Sequence, residues 1–217
     1  SAYMREVSDY WKGSTWEFDK HKARDLYRAL QHRSIRYDES ECDSLPECQR
    51  VAVKVRLIGE QQAHYLRAVD GVINASGKLK DLDGAWLRMR QIVAGFLSWK
   101  DEYGPHEIRF KENPKLDAIE RIVEESGDSK VVISHEYTTS GLLIGERLTA
   151  LGYKFEWLYG GTKDPANCVK RFIEDPTKKV FLMNSESGGT GTDGLQKVAR
   201  YLIFYESPPS PITRKQT

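Results

Sequence analysis

Residues 187–194 read Ser-Gly-Gly-Thr-Gly-Thr-Asp-Gly, with glycine at 188, 189, 191 and 194. Glycine lets a backbone take positive φ and approach a ligand closely. Exposed N–H groups in such a loop, next to a helix start, suit an anion such as phosphate. Thr190 and Thr192 add hydroxyls, and Asp193 adds a carboxylate suited to a ribose, a water or a basic side chain. The spacing is neither the GxxxxGK[ST] phosphate loop nor the dinucleotide GxGxxG. Glycine content alone fits a flexible surface loop equally well.

Two other stretches offer related chemistry. Tyr159-Gly160-Gly161-Thr162 repeats the glycine–threonine theme beside Lys163, although as an isolated tetrapeptide it reads as a plain turn. In the run 134–140, Ser134, Thr138 and Thr139 have hydroxyls for a phosphate backbone or for capping the next helix. Capping is expected of at least one of them. His135 beside Glu136 has no nucleophile in view, so no catalytic residue is assigned. The five tryptophans lack the spacing of a stacking platform and read as core or interface residues. Cys42, Cys48 and Cys168 are odd in number without a CxxC pair, which argues against a zinc site or disulfide framework; no metal ligands are assigned.

The elements that must hold these loops follow from periodicity. In 113–217, Asn113 is placed to cap a helix with Pro114 at its first position, and Leu116, Ile119, Ile122 and Val123 form its apolar stripe up to Gly127. Residues 130–134 read as a buried strand and 140–152 as a helix closed by Gly152. Strand-like 154–158, helical 165–175, strand-like 179–183, the glycine loop and strand-like 201–205 complete the series. Such alternation is that of a parallel sheet covered by helices, an α/β architecture. Loops leaving the carboxyl ends of its strands form the ligand site, so all three stretches should share one rim.

Residues 1–112 read as mainly helical with one strand near 50–57. Ala23, Leu26, Tyr27 and Leu30 share a helical face, as do Ala63, Leu66, Val69 and Ile73, then Leu87, Ile92 and Phe96. Val51, Val53, Val55 and Leu57 alternate with Ala52, Lys54 and Arg56, the period of a half-exposed strand.

The chain has 217 residues, 39% hydrophobic and 30% charged, with net charge +1, the composition of a globular protein with no overall field for or against nucleic acid. No apolar run approaches the roughly 18–20 residues that cross a bilayer, and no signal-peptide pattern opens the chain. A cytoplasmic or, in a eukaryote, nuclear location is expected, without secretion or a membrane partner.

In this order, the segments resemble the second RecA-like lobe of superfamily-two helicases, in particular the Swi/Snf-type DNA translocases. The stretch from Lys130 to Thr162 is similar to that family's strand, Ser-containing loop, helix, strand and Gly-Thr turn. Residues 168–211 resemble the Phe-ended helix, strand, Gly-Gly-x-Gly-x-Asn loop and final strand; Asp193 stands where the family more often has Asn, followed by a short insertion associated with phage-type members. Upstream, the Arg-rich helix, Leu45-Pro46, strand and helix with Gln61 and Tyr65 resemble the family's bridge between lobes.

The resemblance covers roughly residues 28–217. It implies a RecA-like parallel sheet flanked by helices over 113–217, preceded by a mainly helical bridging region over 1–112. Ser134, Tyr137, Thr138, Gly160, Gly161 and Thr162 would lie near a DNA backbone. Ser187, Gly188, Gly189, Thr190, Gly191 and Asp193 would form the loop that couples DNA to the ATP cleft. The implied partners are double-stranded DNA and an N-terminal RecA-like lobe of the same protein, with ATP and Mg as cofactors of the complete motor. The first lobe's phosphate loop and Asp-Glu pair, and the arginine-bearing motif, are expected outside these residues. The isolated chain should therefore neither hydrolyse ATP nor bind it tightly. The alternative is a stand-alone nucleic-acid-binding or adaptor module without ATPase activity.

Overall fold

The computed structural model describes residues 4–9, 13–31, 49–74, 79–185, 192 and 194–208. It forms two compact units that divide between Val51 and Ala52.

In the first unit, β1 (Met4–Asp9) pairs antiparallel with β2 (Gly13–Phe18), with Met4 opposite Phe18 and Asp9 opposite Gly13. The Asp19 side chain accepts from His21 N at 3.1 Å and caps a 3-10 turn, from which α1 (Ala23–Gln31) continues. The expected helix forms here, but its apolar face is open: Tyr27 is 68% and Leu30 49% exposed. The hairpin ahead of it lies in a region read as helical.

The strand expected near 50–57 is not formed, since residues 49–58 carry no regular structure. Alternating valines mark a strand only where another strand offers a ladder, and no described strand pairs with this stretch. In the second unit, α2 (Gly59–Asn74) packs on α3 (Leu79–Ala94). The anchor of α2 is polar: Gln61 is buried and donates from Nε2 to Ile92 O at 2.6 Å, whereas Leu66 of the expected stripe is exposed. Gly95, at φ +101°, stops α3 one residue before Phe96, which opens a strand instead of extending the helix. β3 (Phe96–Asp101) and β4 (Gly104–Arg109) then form a second antiparallel hairpin.

The expected alternation follows: α4 (Pro114–Glu125), β5 (Lys130–His135), α5 (Thr138–Ala150), β6 (Lys154–Leu158), α6 (Pro165–Glu174), β7 (Lys178–Asn184), α7 (Leu195–Val198) and β8 (Ala199–Phe204). The strands make one parallel sheet in the order β6-β7-β5-β8. Because side chains alternate across a strand, Val131, Ile133, Val180 and Leu182 face one core while Val132, Phe181 and Met183 face another. The first core is closed by Leu116, Ile119 and Val123 of α4 and by Ile144 and Leu148 of α5. The second is closed by Cys168, Val169 and Phe172 of α6 with Leu195 of α7. Burial of both faces explains why β5 and β7 read as continuous apolar runs.

Ala94 and Phe96 belong to the first core, so the sequence division at 112/113 falls inside one compact unit. Asn113 joins its two sides. Its Oδ1 accepts from Leu116 N as the cap of α4, and its Nδ2 donates to Ala94 O and to Tyr205 Oη. Tyr205 Oη donates in turn to Ala94 O at 2.7 Å, so the carbonyl end of α3 is satisfied from α4 and from the end of β8.

Candidate functional site

Parallel registry sets the carboxyl ends of the strands at one level. Ser134 lies opposite Met183 and Phe204, and Leu158 lies opposite Met183. The loops after β5, β6 and β7 therefore leave the same rim of the sheet, as their positions after buried strands imply. Asn184 Nδ2 donates to Glu136 O at 2.8 Å, Ser134 Oγ and Ser185 Oγ are 2.8 Å apart, and Tyr205 N donates to Ser134 O at 2.8 Å.

Two of the residues expected near a DNA backbone have their side-chain hydroxyls buried. Ser134 is fully buried, its hydroxyl committed to Ser185. Tyr137 sets its ring edge-on to Phe96 at 5.5 Å, below the Arg90 guanidinium, and its hydroxyl is buried without a partner among the described residues. Neither side chain offers a polar atom to solvent, because the first is the last full position of a central strand and the second plugs the core beneath α5. Tyr137 occupies the N-cap of α5 without a side-chain hydrogen bond, so the capping expected of at least one of Ser134, Thr138 and Thr139 is not made. Thr138 is exposed at the first turn, while Thr139 donates to Glu107 and Ser140 to Glu206.

The turn after β6 is closed by Thr162. Its N donates to Tyr159 O at 2.9 Å, its Oγ1 accepts from Tyr159 N at 3.0 Å, and the same hydroxyl donates to Trp157 O at 3.3 Å. Gly160 and Gly161 are exposed at its tip, and their amides have no hydrogen-bond partner among the described residues. Neither has positive φ. Thr162 thus shapes the turn and the two glycines present it.

Of the glycine-rich loop, 186–191 and 193 lie outside the described residues, so the expectations for Ser187, Gly188, Gly189, Thr190, Gly191 and Asp193 do too. At its edge Gly194 adopts φ +99°, the conformation expected of a glycine in this loop. Cys42 and Cys48 also lie outside the described residues, whereas Cys168 is buried as expected and its thiol is pushed up to about 11, mainly by burial.

Sequence reasoning missed a carboxylate under the rim. Glu206 directly follows buried Tyr205, just beyond β8, and is 4% exposed. It accepts from Glu136 N at 2.9 Å and from Ser140 Oγ, with Lys115 as the nearby cation. Burial raises the pKa of Glu206 and lowers that of Lys115, which lies 4.6 Å over the Tyr205 ring. An acidic residue directly after an apolar strand was the available signal. Nearby, Arg90 donates to Ser207 O at 2.8 Å and covers the exposed Trp86 ring, which the sequence placed in a core or interface.

His135, also missed as a structural group, is fully buried and neutral, with burial lowering its pKa to about 4. Its Nε2 accepts from Trp157 Nε1 at 2.9 Å, so the proton sits on Nδ1, which donates to Tyr137 O at 3.0 Å. Both ring nitrogens are thus engaged within the fold. Among the described residues no group of His, Cys, Asp or Glu is placed to hold a metal ion, and no helix is long and apolar enough to cross a membrane.

No family model matches the sequence, and no curated protein matches it significantly. Solved structures do match the fold. The Sulfolobus solfataricus SWI2/SNF2 ATPase core domain is 19% identical with a TM-score of 0.63, over 91% of this chain and 43% of that one. The core from the same organism in complex with dsDNA is 17% identical with a TM-score of 0.57, over 86% of this chain and 47% of that one. The corresponding C-terminal domain is 20% identical with a TM-score of 0.54, over 68% of this chain and 67% of that one. The chain thus spans less than half the length of either core structure. The parallel order β6-β7-β5-β8 between two helical layers is, accordingly, the fold of the C-terminal RecA-like lobe of SWI2/SNF2 ATPases.

Proposed function

We propose that this chain supplies the second lobe, with its inter-lobe bridge, of an ATP-dependent DNA translocase. The observation that carries the reading is the common rim: β5, β6 and β7 end level with one another at the carboxyl edge of a sheet that shares its fold with a core solved on dsDNA. In this reading the Thr138 hydroxyl and the unpartnered amides of Gly160 and Gly161 contact the phosphate backbone, which positions DNA without reading its sequence. Ser134, Tyr137 and Thr162 act from beneath by fixing these loops. The loop from Ser187 to Asp193 couples the DNA to the nucleotide, and a β-branched residue at Gly189 uncouples the two.

ATP and magnesium belong to the complete motor, held between this lobe and a first RecA-like lobe. In this reading this chain's share of that cleft is the 187–193 loop, and the phosphate loop is contributed by the first lobe. The purified chain is expected to bind duplexes of unrelated sequence with similar, salt-sensitive affinity and to release no phosphate from ATP. Phosphate release stimulated by DNA overturns the division of labour; absence of duplex binding overturns the DNA assignment.

A further inference from the structure

Tyr159 is 36% exposed, and a single exposed aromatic ring on a surface needs no explanation. This ring is unusual in how it is fixed. Its inner face stacks on Trp157, with centroids 4.5 Å apart and planes 29° from parallel. The indole is held in turn by its hydrogen bond to buried His135. Gly141 of α5 makes room for that pair, since a Cβ there would come within 2.5 Å of Trp157 and 2.7 Å of His135. On the turn side, a Cβ on Gly161 would lie 2.6 Å from the Tyr159 ring. The hydroxyl of Thr162 then ties the backbone of Tyr159 to that of Trp157. A flat ring ordered in advance by its own protein loses little freedom when something stacks on it.

The surroundings select what stacks. Directly beside the ring stand the two unpartnered amides of Gly160 and Gly161, followed by exposed Lys163. An aromatic face next to anion-binding donors and a cation matches one nucleotide unit, a flat base joined to a phosphate. In an intact duplex the base faces are covered by their neighbours, so the ring can take only an unpaired or displaced base. We propose that Tyr159 is a stacking platform for an unpaired nucleobase, with the Gly160–Gly161 turn holding that nucleotide's phosphate. The inference rests on the reading of this rim as the DNA-facing surface and adds to it a preference for a distorted or single-stranded segment.

The test compares two labelled probes by fluorescence anisotropy at one salt concentration: an oligothymidine and a mixed-sequence duplex. Tyr159→Ala should lower the ratio of oligothymidine to duplex affinity by about 5- to 100-fold, the worth of one base–aromatic stack. Tyr159→Phe should retain the wild-type ratio. An unchanged ratio in Tyr159→Ala, or equal loss on both probes, overturns the proposal. A wild-type chain that binds the duplex but not oligothymidine overturns it while leaving the DNA reading in place; binding to neither defeats both. Independently of any variant, a 5-iodouracil oligonucleotide irradiated on the wild-type chain should crosslink at Tyr159, and adducts confined to other residues overturn the platform.

Discussion

The two ends of the parallel sheet are built from opposite chemistry. At the amino end, lysines meet carbonyls. Lys130 donates to Phe172 O and to Asp175 O where α6 finishes, and Lys179 donates to Gly127 O and Ser129 O beyond α4. Cations placed there satisfy the last carbonyls of the helices and match the negative end of the helix dipole. Their donors are spent inside the fold, which leaves little for a ligand. At the carboxyl end the arrangement reverses. Buried Ser134, His135 and Glu206 brace the loops from below, and the Gly160–Gly161 amides face outward. One end contributes stability and the other presents donors, although both belong to the same four strands.

The largest effect that would sharpen this contrast is a pH dependence from the braced end. His135 titrates at about 4 in the fold against an ordinary value of 6.5, chiefly because burial disfavours the charged ring. Between those values the unfolded chain binds the proton and the folded chain does not. Stability is therefore full above pH 6.5 and falls as the pH drops towards 4, by about 3 kcal/mol in all. Urea unfolding across that window measures it. A His135→Asn variant with the same slope would show that the dependence arises elsewhere.

A smaller loss, about 2 kcal/mol, is expected for Glu206→Ala, which strips acceptors from Glu136 N and Ser140 Oγ and leaves Lys115 without its anion. Glu206→Gln keeps an acceptor and should cost less; equal costs would assign the effect to charge alone. At the amino end, Lys130→Met should lower stability by only about 0.5–1 kcal/mol, the worth of one cation at a helix terminus. It should leave duplex affinity unchanged, and a loss of affinity there would erase the distinction between the two ends.

Sequence made the sheet half legible for identifiable reasons. β5 and β7 are apolar on both faces, Asn113-Pro114 announces the start of α4, and Gly127 and Gly152, at φ +55° and +79°, close α4 and α5. The positions of the three loops followed from this alternation. The hairpin β3–β4 escaped because Leu87, Ile92 and Phe96 keep helical spacing across the stop at Gly95. The failure at 51–57 is similar: alternation reports a face, while a strand also needs a neighbour. Beneath the rim, what was missed is long-range. Asn113 meets Tyr205 across 92 positions, and Ser140 meets Glu206 across 66, distances over which no local pattern carries information. The Trp157–Tyr159 pair was accessible in principle, as Tyr159 directly follows β6 and extended residues two apart share a face.

The measurement that most directly tests the account uses the two ends of one strand. Gly160→Asp places a carboxylate just beyond the carboxyl end of β6, where an added Cβ meets nothing within 4 Å. Lys154→Glu makes a larger charge change on an exposed residue at the amino end of the same strand. Duplex affinity at fixed salt should fall about fivefold or more in Gly160→Asp, through loss of a phosphate contact, and by less than about twofold in Lys154→Glu. Equal effects of the two, or a greater effect at Lys154, would contradict the assignment of the carboxyl rim as the DNA-facing surface.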